Sequence, residues 1–398
     1  MLPVYMCLGN TEPSQYVGVI AVVRWRILIL ALVACGPESA AEAPRAEEEP
    51  AETHAWRSPP ISWRRVQIES LSSPSVQARR VELLIPSTPS PADGFPFLVV
   101  TDGDLAFDDA WFGVDSALST LVNEGTLDPW VLIAIPAIDR MPEMTPTLAS
   151  RRALRTGRRL EQPHRGVEAF ADYIVDVVLP AVQEEVSLSE HGAVLGYSFG
   201  GLAALHIGLR YPEHFPRVIA MSPSLWFSER AALQAVAHAS VWPRRVWLDV
   251  GTREGNGRQD VPYMVADARQ LRIELERHQV SVGYYEAIGR PHGSNEAGPR
   301  MGDALRYALS DEDCVPTRLD LHVFRQESVV GRSVPTTVLG HCADGSPRTI
   351  SPRDVRLEAQ GATTSVDGLI RATQPGEVPL RVAYEGLEAT AAIRFTRR

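Results

Sequence analysis

The chain predicts an α/β fold, a doubly wound and mostly parallel sheet, followed by a small C-terminal all-β sandwich. Three observations predict it. Continuous apolar runs alternate with amphipathic helical stretches between about residues 61 and 310. After Asp313 the pattern changes to short alternating segments broken by turn signals such as Asp344-Gly345 and Asp367-Gly368. Between an apolar run and a helical one stands Gly196-Tyr197-Ser198-Phe199-Gly200-Gly201. That is the strand–turn–helix step of a parallel sheet.

The elements follow in chain order. Arg24-Trp25-Arg26 gives a positive flank, and Ile27 to Ala34 is an apolar run too short to span a bilayer. Residues 1–34 read as a signal peptide. Leu32-Val33-Ala34-Cys35 resembles the lipobox of bacterial lipoproteins. The resemblance implies cleavage before Cys35, lipid on its sulfur, and a membrane-anchored protein of the cell envelope, periplasmic or outer-membrane. Gly36 follows, so nothing signals inner-membrane retention. The alternative is ordinary secretion, with Cys35 inside the leader or a short anchor. Residues 35–60 are rich in Ala, Glu and Pro, which cannot build a core, and read as an acidic tether.

Residues 61–310 form the expected α/β domain. Strand-like runs are Val81 to Ile85, Phe97 to Val100, Val131 to Ile135, Ala193 to Leu195, Val218 to Met221, Val246 to Val250 and Ser281 to Ile288. Several are apolar throughout, as parallel strands covered on both faces must be. Val167, Phe170, Ile174, Val177, Val178 and Val182 recur at spacings of three and four and mark one helical face. Leu202 to Arg210, Met264 to His278 and Met301 to Leu309 also read as helices. Residues 314–398 carry alternating segments, Leu319 to Phe324, Val378 to Ala383 and Ala391 to Phe395. The tail resembles bacterial Ig-like group 2 domains through Val330-Gly331, Ala343-Asp344-Gly345-Ser346 and Ser365 to Ile370. The resemblance implies a surface ligand for it.

Composition narrows the chemistry. A net charge of −10 and the lack of a long basic run argue against a nucleic-acid partner. All 39 basic residues are arginine, so no Schiff-base lysine, P-loop lysine or Ser-Lys pair exists. Cys7 falls in the leader and Cys35 at the expected lipid site, which leaves Cys314 and Cys342. In an oxidising compartment they form a disulfide worth roughly 3 kcal/mol, or else remain two buried thiols. So few cysteines argue against a metal site, and no cofactor is implied.

A serine hydroxyl attacks a carbonyl only with a base in reach, an acid to orient the base, and donors for the oxyanion. In G-x-S-x-G elbows these follow in the order Ser, acid, His. Ser198 is the candidate nucleophile. His206, His214 and His238 follow it too closely, His278 ends a helix, and His322 and His341 lie in the tail. His292, in a loop between a strand and the last helix, remains as the base. Glu254 stands just beyond the strand Val246 to Val250 and is the expected acid, with Asp260 in reserve. Asp249, inside the strand, reads as structural. The backbone N–H groups of Phe199 and of Asp104, after Thr101-Asp102-Gly103, are the expected oxyanion donors. Gly103 is expected to make that turn.

With these motifs the chain resembles the esterase family of α/β-hydrolases that includes enterochelin esterases, S-formylglutathione hydrolases, feruloyl and acetylxylan esterases and mycolyltransferases. The matching elements are Phe95 to Gly103, Arg140 to Pro146, Gly196 to Leu205, Ser222-Pro223-Ser224-Leu225-Trp226, Leu248 to Glu254, and His292. Arg140 with Glu143, and Ser222 to Trp226, are most similar to the siderophore-trilactone esterase branch. The resemblance implies a serine esterase acting on a small-molecule ester, siderophore-trilactone-like or aryl, through an acyl-enzyme on Ser198.

Two features bear on specificity. Residues 141–165 carry Arg151, Arg152, Arg155, Arg158, Arg159 and Arg165. Arg155 and Arg158 are candidates to attract an anionic substrate, against the plainer reading of a solvated arginine-rich face. Trp226 either lines the acyl pocket or belongs to the core. Two other functions stay open at the level of sequence. One is an acyltransferase on the same scaffold. The other is a non-catalytic cell-surface binding lipoprotein with an inert hydrolase domain.

Overall fold

The computed structural model describes residues 60–146, 166–255 and 260–397. The expected leader, nearly all of the tether with Cys35, and Arg155 and Arg158 lie outside the described residues. Eight strands make one sheet: β1 (Trp63–Ser73), β2 (Val76–Pro86), β3 (Phe95–Thr101), β4 (Val131–Ile135), β5 (Leu188–Tyr197), β6 (Arg217–Met221), β7 (Arg245–Gly251) and β8 (Ser281–Ala287). Their order is β1-β2-β4-β3-β5-β6-β7-β8. The six strands from β4 to β8 in that order pair in parallel, and β1 and β2 add antiparallel. β1 has no continuous apolar run. It is an edge strand whose Val66, Ile68 and Leu71 alternate inward.

The helices are α1 (Val114–Asn123), α2 (Arg140–Met144), α3 (Gly166–Tyr173), α4 (Leu179–Gln183), α5 (Phe199–Arg210), α6 (Ala231–His238), α7 (Tyr263–Arg277) and α8 (Gly298–Leu309). A π turn, Ile174–Val178, joins α3 to α4. Two cores show why the strand sequences are apolar throughout. On one face Phe97 and Val99 of β3 pack with α3, α5, α6 and α7. On the other, Leu98 and Val100 pack with α1 and α8. Each central strand therefore buries both of its alternating sets, and its loops emerge together at the carboxyl end of the sheet.

The C-terminal part holds β9 (Pro316–Val323), β10 (Glu327–Val329), β11 (Val334–Cys342), β12 (Pro347–Ile350), β13 (Arg356–Ala359), β14 (Ala362–Thr364), β15 (Leu369–Ala372), β16 (Gly376–Tyr384) and β17 (Leu387–Thr396). In one sheet β9, β12 and β15 pair with β11, and β14 with β15, all antiparallel. The other runs β10-β17-β16-β13, with only β10 and β17 parallel. Val338, Ile370, Val382 and Phe395 from the two sheets share one core, which makes the tail a sandwich. Cys314 and Cys342 form a disulfide that ties the connector after α8 to β11.

The sandwich packs on β8, the edge strand opposite β1 in the main sheet. The Glu286 amide donates to Thr349 Oγ1 of β12 at 2.8 Å. The buried Glu286 carboxylate accepts two bonds from Arg269 of α7, at 2.7 and 2.9 Å, and further bonds from Tyr284 and from Thr337 of β11. Arg269 Nη2 also donates to the Thr336 carbonyl at 2.9 Å. Burial opposes charge on Glu286, but Arg269 and the hydrogen bonds from Arg269, Thr337 and Tyr284 outweigh it and hold the carboxyl below its usual range. Removing one partner of a buried pair strands the other. Arg269→Met should therefore destabilise the protein by about 3–5 kcal/mol, read as a lowered denaturant midpoint. An unchanged midpoint would show that the junction does not depend on this pair.

Candidate active site

Ser198 stands between β5 and α5 with φ 60° and ψ −115°. Its amide donates to the Met221 carbonyl at 3.0 Å, and its own carbonyl accepts from Leu202 and Ser224 at 3.0 Å each. The turn is tight because a Cβ on Gly196 would lie 2.1 Å from the Gly200 carbonyl oxygen. Phe199 opens the helix, where amide N–H groups have no intrahelical acceptor.

Loops after four further strands converge on this elbow. His292 follows β8, and its Nε2 lies 3.0 Å from Ser198 Oγ. Its Nδ1 lies 2.8 Å from Glu254 Oε2. The imidazole stacks on Tyr197 with centroids 5.2 Å apart, and Tyr197 Oη accepts from the Gly293 amide at 2.9 Å. Glu254 follows β7 and is fully buried. Its Oε1 accepts from the Gly251 amide at 2.8 Å and from Ser222 Oγ at 2.6 Å. The acid and base loops are also tied to each other. The Arg253 amide donates to the Arg290 carbonyl at 3.1 Å, and the Gly289 amide to Thr252 Oγ1 at 2.8 Å.

A buried charge network lies behind the acid. Arg300 of α8 donates to Asp249 Oδ1 at 2.5 Å and to Ser222 Oγ at 3.1 Å. Trp247 Nε1 donates to Asp249 Oδ2 at 2.9 Å. Burial disfavours the charge on Arg300, yet Asp249 and Glu254 together hold it above the ordinary arginine value. Asp260, the reserve acid, instead accepts from Arg332 at 3.2 Å, on the side facing the tail.

The loop after β3 is fixed to the elbow. Thr101 Oγ1 donates to the Leu195 carbonyl at 3.1 Å. Arg140 donates to the Asp102 carboxylate at 2.5 and 2.8 Å and to the Tyr197 carbonyl at 3.0 Å. The left-handed residue of this turn is Asp102, at φ 55°, and not Gly103. Gly103 is needed for another reason: a Cβ there would lie 2.3 Å from the Ile135 amide nitrogen. Asp104 sits exposed within the short turn Gly103–Leu105. Half-buried Trp226 lies 5.8 Å from Phe199, the residue after the nucleophile, and 6.2 Å from buried Phe227, ring centre to ring centre.

Sequence reasoning named Ser198, His292 and Glu254, and the structure places His292 within hydrogen-bond reach of both the other two. It did not single out Arg300, Tyr197, or the hydroxyls of Ser222 and Ser224. The family resemblance touched Ser222 to Trp226 without assigning the two serines a contact. An arginine in the amphipathic α8 reads as surface, and nothing in its spacing marks it as buried.

A family model described as "Putative esterase" matches residues 73–290. The match stops two residues short of His292, which the geometry alone brings to Ser198. The chain is 26% identical over 212 residues to the protein YbbA of Bacillus subtilis, across 52% of this chain and 82% of that protein. It is 28% identical over 261 residues to the iron(III) enterobactin esterase of Escherichia coli O6:H1, across 61% of this chain. It thus spans 55% of that esterase, about half its length. Among solved structures, the BES protein of Bacillus cereus aligns with a TM-score of 0.52 and 21% identity, across 62% of this chain and 96% of that one. That likeness shows the shared fold.

The elbow's geometry is directly testable. Gly196→Ala should cost about 1–3 kcal/mol through overpacking, seen as a lowered thermal midpoint. A midpoint equal to wild type would mean that the elbow has room for a Cβ.

Proposed function

The chain belongs to this esterase family, and on that premise we propose that it is a serine hydrolase of carboxylic esters with Ser198 as nucleophile, His292 as general base and Glu254 as orienting acid. The observation that carries the reading is the continuous relay from Ser198 Oγ to His292 at 3.0 Å and on to Glu254 at 2.8 Å. Glu254 is buried with one oxygen left to the imidazole, so it selects the tautomer with the proton on Nδ1. Nε2 then accepts the Ser198 proton as Oγ bonds to the ester carbon. The C–O bond to the alcohol breaks, and the alcohol leaves with the proton from Nε2. Water, deprotonated by His292, attacks the acyl carbon; the bond to Ser198 Oγ breaks, the acid leaves, and Oγ takes its proton back from Nε2. Phe199 and Asp104 supply the oxyanion amides in this reading, and Phe199 with Trp226 borders the acyl group.

The finer assignments are proposals of the same kind. The substrate class is a siderophore-trilactone-like or aryl ester, supported by the likeness to an enterobactin esterase. Export, a lipid anchor on Cys35 and an Ig-like tail at 314–398 with a surface ligand complete it. An acyltransferase would use the same acyl-enzyme with another acceptor. The inert binding reading is disfavoured by a relay whose buried acid is fully hydrogen-bonded.

A fluorophosphonate should label the wild-type protein and leave Ser198→Ala unlabelled. His292→Ala should lower ester hydrolysis by at least about 10⁴-fold. Label that survives Ser198→Ala would remove Ser198 from the chemistry. Charge reversal at Arg155 and Arg158 should raise KM for anionic esters and leave neutral esters unchanged. An equal loss on both would reject an anion-attracting role.

A further inference from the structure

One short loop after β6, Ser222-Pro223-Ser224, grips both ends of the relay. Ser222 is held at φ 41°. Its amide donates to the carbonyl and the carboxylate of Asp249, at 3.0 Å each. Its hydroxyl donates to Glu254 at 2.6 Å while accepting from Arg300 at 3.1 Å. Two residues on, the Ser224 amide donates to the Ser198 carbonyl at 3.0 Å. The Ser224 hydroxyl, 2% exposed as a residue, lies 3.3 Å from Ser198 Oγ.

The direction of that last bond follows from donor counting. On the triad reading, on which this inference rests, the Ser198 proton is committed to His292 Nε2. Ser198 Oγ has only lone pairs left for its second neighbour, so Ser224 Oγ–H is the donor. A separation of 3.3 Å is long for two neutral hydroxyls. As the Ser198 proton moves to Nε2, negative charge builds on Oγ, and bonds to a charged oxygen are shorter and stronger. An interaction weak in the ground state and strong when charge develops lowers the barrier. We propose that Ser224 is a catalytic residue whose hydroxyl donates to the nucleophile oxygen during attack. Its proton stays on its own oxygen throughout, and no bond to it forms or breaks. Ser222, acting through Glu254, is a positioning residue in the same loop.

The test compares wild type, Ser198→Ala, Ser224→Ala and Ser224→Thr. The readouts are the rate of fluorophosphonate labelling, kcat and KM on p-nitrophenyl acetate, and the thermal midpoint. Ser224→Ala should lower both the labelling rate and kcat about tenfold, with KM and midpoint unchanged. Ser224→Thr keeps the donor and should recover the lost rate. Undiminished labelling in Ser224→Ala overturns the inference. So does a loss confined to KM, or one that accompanies a lowered midpoint and that threonine does not recover. Wild-type protein that takes no label, or label that survives Ser198→Ala, overturns the triad reading and this inference with it. Label lost in Ser198→Ala but at full rate in Ser224→Ala overturns this inference alone.

Discussion

The rest of the site depends on one backbone conformation. Ser198 at φ 60° and ψ −115° lies where a residue with a Cβ does not rest unaided. Such a residue costs about 1–3 kcal/mol and persists only where its surroundings over-determine it. Here they do. The Met221 carbonyl holds its amide, while the Leu202 and Ser224 amides hold its carbonyl. Gly196 and Gly200 let strand and helix close to a distance at which any Cβ would collide. The strain turns Oγ out of the sheet toward the loops that carry His292 and Ser224.

The residues around the elbow come from several strands of the sheet and the loops after them. β6 supplies Met221 and the serine loop, β7 leads to Glu254, β8 to His292, and β3 to Asp102. The parallel sheet brings residues distant in sequence to one rim. Arg300 then links α8 to strand β7 through Asp249 and to the serine loop through Ser222. Two carboxylates and one guanidinium share a dry space, and removing the guanidinium would leave two buried negative charges without their cation.

Much of this was legible in the sequence, for physical reasons. Strands buried on both faces must be apolar throughout, so β3, β4, β6 and β7 stand out. The alternating tail segments announced a sandwich in the same way, through one buried set of side chains each. β1 was missed because its exposed edge position lets half its residues be polar. The order Ser, acid, His singled out three side chains that the structure links in series through His292. The layer behind them was not legible. Serines are common in loops, so Ser222 and Ser224 carry no signal until a fold places them. Arg300 and Arg269 occupy helix positions where arginine ordinarily meets water. At the β3 turn, Gly103 drew attention as the flexible residue, yet Asp102 takes the left-handed conformation and is paid for by Arg140.

The seating of the sandwich on β8 has a consequence for how this molecule meets copies of itself. An uncovered edge strand offers a row of unpaired amides and carbonyls, a template on which another chain can add. Here the Glu286 amide is already capped by Thr349, and β12 lies against the strand. The tail therefore serves the core as an edge guard. A chain cut short near residue 310 would expose β8 together with the Glu286 carboxylate. Its first failure would be strand-to-strand association between molecules, ahead of any loss within the elbow.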